Sequence, residues 1–300
     1  MENSFKSGFV ALIGRPNVGK STLINYIIGQ KITITSDKSQ TTRQRIQGIY
    51  TDEEAQIIFV DTPGIHKPKH QLGSFMVNVA EETLTETDLI LFMINANEKI
   101  GPGDRFIINM LKRVKTPVFL IVNKVDLISE EDIFPIIEEY SSHHRFNEIL
   151  PISSLEGNNV EKLMELIKNY LAEGPKYYDE DQITNHPEQF LIGELIREKV
   201  LNLTREEIPH SVAVHVDNIE RRQNDTTYIQ ATIFTERPTQ KGILIGKQGS
   251  MLKEVGKQAR KDIAKLLGTK VYLDLWIKVE RDWRNNKYKL NRFGFRYDDY

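Results

Sequence analysis

The period of the apolar positions divides the chain into two regions. In the first, short apolar runs such as 8–14 and 117–122 alternate with stretches of helical spacing, near 75–86, 103–115, 130–142 and 159–171. Buried runs that alternate with helices are typical of an α/β fold with a mainly parallel, doubly wound sheet. The polar stretch 32–52 predicts a mobile loop that leads into an edge strand.

The pattern changes across residues 173–189, which are polar, bounded by proline and without a period. That composition predicts a linker. Beyond it, the order helix, two strands, helix, helix, strand indicates a small α+β module, with one apolar helix face formed by Leu252, Val255, Ala259, Ile263 and Leu266. We therefore expect a first domain over 1–172, the linker over 173–189 and a second domain over 190–300.

The composition agrees with two folded domains and bears on the cellular compartment in which the protein is expected. The chain has 300 residues, of which 39% are hydrophobic and 27% charged, and it has no cysteine. The absence of cysteine excludes disulfides and metal sites built from thiolates. It is compatible with a cytosolic protein, in which disulfides are rare. The apolar runs are too short for a membrane span, and the N-terminus lacks the pattern of a signal peptide. We expect a cytoplasmic protein.

The charge is unevenly distributed along the chain. Residues 237–300 contain 16 Lys and Arg against 7 Asp and Glu, whereas the rest of the chain has more acidic than basic residues. A basic end on an acidic body indicates contact with a polyanion. A solvated charged face is the alternative, and charge alone does not separate the two.

The first glycine-rich loop, GRPNVGKS at 14–21, matches G-x-x-x-x-G-K-[S/T] between an apolar strand and a helix. Its glycines allow backbone N–H groups to surround phosphates at a helix N-terminus. Lys20 would add charge at the β- and γ-phosphates, and the Ser21 hydroxyl would bind Mg²⁺. We expect the nucleotide to contact Gly14, Asn17, Val18, Gly19, Lys20, Ser21 and Thr22.

Three further motifs, each after an apolar strand, complete a guanine nucleotide site. In DTPG at 61–64, Asp61 would hold Mg²⁺ through water and the Gly64 N–H would face the γ-phosphate. In NKVD at 123–126, the Asp126 carboxylate would accept both N–H donors of guanine, a pair that adenine lacks, which supports discrimination of roughly 10⁴-fold. Asn123 and Lys124 would brace the loop and stack on the base, and the N–H groups of Ser153, Ser154 and Leu155 would face the guanine oxygen.

These motifs, in this order, resemble those of the translation-factor-related small GTPases. The resemblance implies that GTP and GDP are the ligands with Mg²⁺, and that a threonine before the second strand completes the Mg²⁺ shell. Thr42 is favoured because it directly precedes an arginine, with Thr41 as the alternate.

One position departs from the pattern of many of these GTPases. Where they carry a glutamine that orients the attacking water, this chain has Ile65. Asn17 matches a position that helps coordinate a potassium ion beside the phosphates in related GTPases, so K⁺ is a further expected cofactor. The expected catalytic groups are Lys20, Asn17, Thr42 and Gly64; a catalytic role for His66 is disfavoured.

The second loop, GILIGKQGS at 242–250, lies between helical segments and lacks the GK[S/T] ending. Its I-G-x-x-G pattern resembles a type II KH domain, in which this loop approaches a nucleic-acid backbone. The resemblance implies RNA contacts at Ile245, Gly246, Lys247, Gln248, Gly249, Lys253 and Lys257. The alternative is a glycine-rich turn. Trp276 and Trp283 suit stacking on bases. Trp276 points opposite the apolar face of its strand, but packing against a helix or the other domain is favoured for it.

Both regions together resemble a family of bacterial GTPases with one KH domain that act in assembly of the small ribosomal subunit. That resemblance implies binding of small-subunit ribosomal RNA near its 3′ end, a nucleotide-dependent rearrangement, a monomer, and peripheral contact with the inner face of the membrane. Two alternatives stand beside it. One is a metabolic P-loop enzyme, which NKVD disfavours; the other is a passive RNA-binding module with a purely structural GTPase half.

Overall fold

A computed structural model describes residues 5–38, 41–65, 70–223 and 225–295, so the His66 hypothesis lies outside the described residues. The chain divides into two compact units. The first comprises Met1–Thr33, Thr42–Pro68 and Gly73–Asn185, and the second comprises Ile34–Thr41, Lys69–Leu72 and His186–Tyr300. Within the described part, no helix combines the length and apolar character that crossing a bilayer requires.

The first unit contains a six-stranded sheet. Its strands are β1 Lys6–Gly14, β2 Ile46–Thr51, β3 Ala55–Asp61, β4 Leu89–Asn95, β5 Val118–Asn123 and β6 Glu148–Ile152. They lie in the order β2-β3-β1-β4-β5-β6, and only the pairing of the edge strand β2 with β3 is antiparallel among these neighbours. The predicted mainly parallel α/β sheet with an edge strand after the polar loop is therefore confirmed.

Helices cover both faces of this sheet. They are α1 Lys20–Ile28, α2 Gln71–Thr85, α3 Pro102–Leu111, α4 Glu130–Ser141 and α5 Val160–Tyr170. Alternate residues of β1 enter opposite cores: Val10 and Leu12 pack with α1 and α5, whereas Ala11 and Ile13 pack with α2, α3 and α4. Because all the parallel strands end at the same edge, the loops that follow β1, β3 and β5 converge there.

The polar segment after α5 is bonded to the strand pair β2–β3. The Gln56 side chain accepts from the N–H groups of Tyr177 and Tyr178 at 2.7 and 3.0 Å and donates to the Tyr178 carbonyl at 2.9 Å. Thr184 Oγ1 donates to the Gln47 carbonyl at 2.7 Å. Much of the predicted linker is thus fixed to the first unit.

The second unit contains the predicted order helix, two strands, helix, helix, strand, and two short helices in addition. Its elements are α6 Glu188–Leu203, the short α7 Ile208–Ser211, β7 Ala213–Arg222, β8 Thr226–Thr235, α8 Pro238–Ile245, α9 Ser250–Leu267, β9 Lys270–Val279 and the short α10 Lys287–Arg292. The sheet order is β7-β8-β9, with β7 antiparallel and β9 parallel to β8. Val255, Ala259 and Ile263 of α9 are fully buried, which confirms the predicted apolar face.

The two tryptophans behave differently. Trp283 is fully buried and its Nε1 donates to the Ser211 carbonyl at 2.9 Å, so its ring is not placed to stack on bases. Trp276 is 54% exposed, and for that residue the favoured packing prediction is wrong. The strand explains the difference, because Trp276 points to the face opposite the buried Ile277.

Candidate nucleotide site and RNA-binding loop

The first loop is a tight connection between β1 and α1. Gly19, directly before the helix, has φ 107°, and Asn17 has φ 66°, both in the left-handed region. A Cβ on Gly14 would lie 2.4 Å from the Met93 carbonyl oxygen, and one on Gly19 would lie 2.1 Å from Asn123 Nδ2. Both glycines of the motif are therefore required, Gly14 by the close approach of the Met93 backbone and Gly19 by that of the Asn123 side chain and by its own left-handed conformation.

Lys20 lies inside this loop. Its side chain is buried, and its Nζ donates to the carbonyls of Gly14 at 3.3 Å and Arg15 at 3.2 Å. Burial lowers the pKa of the Lys20 ammonium, and the nearby charge of Asp61 partly restores it. The loop thus holds a poorly solvated cation, which a phosphate would stabilise.

Three oxygen-bearing side chains from separate segments meet beside Lys20. Asp61 Oδ2, at the end of β3, accepts from Ser21 Oγ at 2.7 Å and from Thr42 Oγ1 at 3.2 Å, and the two hydroxyls are 3.2 Å apart. Asp61 is fully buried, and among the residues that the structure describes its Oδ1 has no hydrogen-bond partner. Burial raises the pKa of the Asp61 carboxyl, and Lys20, Ser21 and Thr42 oppose that rise.

This cluster fits Mg²⁺. A hard cation prefers carboxylate and hydroxyl oxygens, and the unpartnered Oδ1 of Asp61 is a buried acceptor that a hydrated ion would satisfy. Of the two candidate threonines, Thr42 joins the cluster, whereas Thr41 Oγ1 donates to the Lys38 carbonyl at 2.7 Å. The geometry thus favours Thr42.

Asn123 links the first loop to the loop after β6. Its Nδ2 donates to the Val18 carbonyl at 2.7 Å, and its Oδ1 accepts from the Ser154 N–H and Oγ, each at 2.9 Å. Lys124 adopts φ 66° and starts a 3-10 turn that leaves Asp126 exposed. The Asp126 carboxylate is therefore accessible to a base.

The prediction for residues 153–155 needs a correction. The N–H of Ser153 donates to the Asn158 carbonyl at 3.1 Å and that of Ser154 to Asn123, so both donors are already used within the protein. The Leu155 side chain is 71% exposed. Of these three residues, only Leu155 has a backbone N–H for which the described structure shows no acceptor within the protein. The Leu155 N–H is therefore the donor best placed to reach the guanine oxygen.

The position of the missing glutamine is part of the core. Ile65 is 1% exposed and belongs to the apolar cluster with Ala11 and Ile13. Its N–H donates to the Gly14 carbonyl at 3.4 Å, and a Cβ on Gly64 would lie 2.8 Å from the Pro16 nitrogen. The DTPG segment is therefore packed directly on the first loop, and the Ile65 side chain anchors it there.

Sequence reasoning missed a brace on the other side of the first loop. Arg15 Nε donates to Asp104 Oδ1 at 2.9 Å, and the Gly101 N–H donates to Asp104 Oδ2 at 2.8 Å. Asp104 is fully buried near the start of α3. The only sequence signal is an aspartate in the first turn after Gly-Pro-Gly, a pattern that also occurs at ordinary helix starts.

The second loop is an exposed corner between α8 and α9. Gly246, Gln248 and Gly249 have φ values of 72°, 52° and 78°, and the side chains of Lys247 and Gln248 are exposed. A Cβ on Gly246 would lie 2.8 Å from the Met251 N–H nitrogen, whereas one on Gly249 would meet no atom within 4 Å. Ile245 is half-buried and packs on the core below the loop. The corner is open to a ligand.

A groove of about 740 Å³ continues from this corner between α9 and β9. It is lined by Gly249, Lys253 and Lys257 of the predicted set, and also by Arg260, Tyr272 and Leu275. Lys253 and Lys257 are four residues apart on α9 and share one side of that helix, so they place two positive charges along the groove. A basic groove with an apolar floor suits a single nucleic-acid strand.

Comparison with known proteins agrees with both halves of the geometry. Residues 9–124 match the family described as 50S ribosome-binding GTPase, and residues 207–284 match the KH domain family. The chain resembles a structure of Era in complex with MgGDPNP and nucleotides 1506–1542 of 16S ribosomal RNA, at 44% identity over 97% of this chain and 99% of the other, with a TM-score of 0.94.

A structure of a single-residue variant of Aquifex aeolicus Era bound to GDP·AlF4⁻ is similar at 43% identity, over 97% of this chain and 99% of that one, with a TM-score of 0.94. The likeness thus spans the nucleotide site, the KH domain and the segment that joins them. The protein is a GTPase with a P-loop domain followed by a KH domain, and its chain belongs to the Era family.

Proposed function

We propose that this protein is a GTP-controlled switch whose KH domain binds small-subunit ribosomal RNA near its 3′ end and assists assembly of the small ribosomal subunit. The observation that carries the proposal is the likeness, over 97% of the chain, to a protein solved with that RNA and a GTP analogue. The open Gly246–Gly249 corner and its basic groove support it from this chain's own residues.

At the nucleotide site, each predicted residue has a separate task. The N–H groups of the first loop and the Lys20 ammonium bind the phosphates, and Ser21, Thr42 and Asp61 hold Mg²⁺, which neutralises charge on the β- and γ-phosphates. The Gly64 N–H faces the γ-phosphate. Asp126 selects guanine. Loss of the γ-phosphate would release Thr42 and Gly64, so the loops that contain them change with the nucleotide.

Hydrolysis must proceed without a glutamine side chain at position 65, because Ile65 is buried in the core. We assign charge stabilisation to Lys20 and to a K⁺ ion held by Asn17, which stands at a left-handed position in the middle of the loop. Hydrolysis rates measured in K⁺ and in Na⁺ buffers test this assignment. A faster rate in K⁺ supports it, and equal rates contradict it.

The linker is the proposed route from the nucleotide to the KH domain. Strands β2 and β3 pair so that Ile46 lies opposite Asp61, and the same strand pair holds Tyr178 and Thr184 through Gln56 and Gln47. A movement of Asp61 and the loop before β2 would therefore reach residues 173–189. We retain the predicted domains, 1–172 and 190–300, on either side of that linker.

Quaternary state and location remain predictions from the sequence alone. We expect a cytoplasmic monomer with peripheral contact, at most, with the inner face of the membrane. Light scattering tests the monomer, and flotation with vesicles tests the membrane contact.

Crosslinking followed by sequencing of the attached RNA tests the proposed partner. A lysate is supplied either with GDP or with a non-hydrolysable GTP analogue, and a Lys20→Ala variant serves as the nucleotide-binding control. We expect crosslinks near the 3′ end of small-subunit RNA that increase with the analogue and do not respond to it in the variant. Crosslinks confined to large-subunit RNA, or full cellular function of Lys20→Ala, would contradict the proposal and favour a passive binding module.

A further inference from the structure

The outer face of the second unit's sheet carries aromatic rings in solvent. Along β9, Val271 and Ile277 point into the core, whereas Tyr272 and Trp276 point outward and are 59% and 54% exposed. Single exposed rings are common on protein surfaces, whereas neighbouring rings on one strand face form a patch, and such patches mark contact with a partner. Neither ring belongs to the core of the second unit.

These rings are held in fixed positions. Tyr228 of β8 stacks on Tyr272 with centroids 5.7 Å apart and planes inclined by 17°, and the Arg222 guanidinium lies 4.4 Å from the Tyr228 centroid. One carboxylate oxygen, Asp274 Oδ2, accepts from Tyr228 Oη at 3.2 Å and from Trp276 Nε1 at 3.1 Å. We call Tyr228, Tyr272 and Trp276 the aromatic platform. Its orientation is set before any ligand arrives, which reduces the entropy lost on binding.

The platform is continuous with the basic groove. Tyr272 lines that groove together with Lys253, Lys257 and Arg260. Strand β9 is an edge strand, so a strand of RNA that leaves the groove can cross it without meeting another strand. Tyr272 and Trp276 are four residues apart on β9, or about 13 Å at roughly 3.3 Å per residue. That span would accommodate further nucleotides beyond those in the groove.

The chemistry of the platform favours bases over phosphates. Its charges include both signs, with Asp274 between the rings and Arg222 over one of them, so it is a poor site for a bare polyanion. Flat rings bind bases of any sequence because every base has a π-face. The phosphates would instead meet the lysines of the adjoining groove.

We propose that single-stranded RNA extends from the KH groove over β9 and stacks its bases on Tyr272 and Trp276. This inference rests on the proposed RNA-binding function and adds a second contact surface to it. The platform would contribute affinity through stacking, and the groove would contribute it through charge.

Tryptophan fluorescence provides a direct test. The chain has two tryptophans, and Trp283 is fully buried, so the difference in emission between wild type and Trp276→Phe reports on Trp276. The probe is an RNA fragment comprising nucleotides 1506–1542 of 16S ribosomal RNA. We expect this fragment to quench the Trp276 emission, because a stacked base quenches an indole.

Affinity for the same fragment separates stacking from charge. Trp276→Ala and Tyr272→Ala should each weaken binding about tenfold, the effect of losing one stacked base. The slope of log K against log salt should stay unchanged in these variants, whereas Lys257→Ala should reduce its magnitude by about 0.7. Tyr288→Ala is the matched control, because Tyr288 is 79% exposed on α10 and lies outside the platform, and it should bind as wild type does.

Three outcomes are distinguishable. Quenching with a tenfold loss at unchanged salt slope supports the platform. Wild-type affinity in Trp276→Ala together with unquenched emission overturns it. That is the result expected if the exposed rings bind a protein and not RNA. Failure of the wild-type protein to bind the fragment would contradict the proposed function and the platform with it.

Discussion

Replacing Asp61 by asparagine should change stability in opposite directions with and without Mg²⁺ and nucleotide. Asp61 is fully buried, one of its oxygens has no partner within the described part of the chain, and burial raises its pKa even though Lys20 opposes that rise. Ionisation of this carboxyl therefore costs more in the folded protein than in the unfolded chain. Asp61→Asn keeps the shape and removes the charge, so the ligand-free variant should be more stable.

The size of the effect follows from the buried charge. An unsatisfied buried polar group costs about 1–3 kcal/mol and a charged one costs more, so removal of the charge should raise ligand-free stability by an amount of about that order. For a domain of this size, each kcal/mol corresponds to a rise in Tm of about 2–4 °C. In the presence of Mg²⁺ and GDP at about 100 times Kd, wild type gains about 2.7 kcal/mol from the ligand. The variant should lose most of that gain, because it lacks the carboxylate that holds the ion.

The effect should also depend on pH. The folded pKa of Asp61 lies above its unfolded value of about 3.9, so its penalty on stability is absent below that pH and grows as pH rises through the folded pKa. The advantage of the ligand-free Asp61→Asn protein should therefore be largest at neutral pH and shrink toward about pH 4.

Thermal unfolding by circular dichroism at several pH values, with and without Mg²⁺–GDP, measures these differences. Asp126→Asn is the matched control, because Asp126 is exposed and its replacement should leave ligand-free stability unchanged. A ligand-free Asp61→Asn protein that is less stable than wild type at neutral pH, or that keeps the full gain from Mg²⁺–GDP, would refute the reasoning.

Three further changes test separate parts of the account. Asp126→Asn should shift preference from guanine to xanthine nucleotides in a competition assay, and unchanged selectivity for GTP would show that the base is recognised elsewhere. Ile65→Gln should destabilise the protein by about 2–4 kcal/mol without speeding hydrolysis, because it buries an amide in the apolar core; a faster GTPase would contradict the structural role given to Ile65. Replacing Gly246 and Gly249 with aspartate should abolish RNA binding and spare GTP hydrolysis, because the added carboxylates face the RNA backbone at an exposed corner; retained binding would remove the corner from the interface.

The sequence predicted the features that depend on local pattern. Apolar runs that alternate with helices predicted the parallel sheet, and the period of α9 predicted its buried face, because both signals lie within a few consecutive residues. The glycine positions were also readable: Gly19 and Gly246 stand where a side chain would meet another group or need a left-handed backbone.

Features that join distant segments were not readable. The brace of Arg15 by Asp104 connects residues 89 positions apart; Arg15 occupies a variable position of the first loop's motif, and Asp104 belongs to no motif named above. The use of the Ser154 N–H could not be predicted for the same reason. Only the folded structure shows that this N–H already donates to Asn123 Oδ1. The alternation of β9 already placed Trp276 opposite the apolar face of the strand, but only the folded structure shows that the ring is 54% exposed there.

The central claim is that the nucleotide bound in the first unit controls RNA binding by the KH domain. The most direct measurement is the affinity of one protein preparation for the RNA fragment 1506–1542, once with Mg²⁺ and a non-hydrolysable GTP analogue and once with Mg²⁺ and GDP. The account predicts tighter binding in the GTP state, by roughly 5- to 150-fold for a typical coupling of about 1–3 kcal/mol, and an increase by the same factor in the preference for the analogue over GDP when RNA is bound. Equal RNA affinity in the two nucleotide states would contradict it.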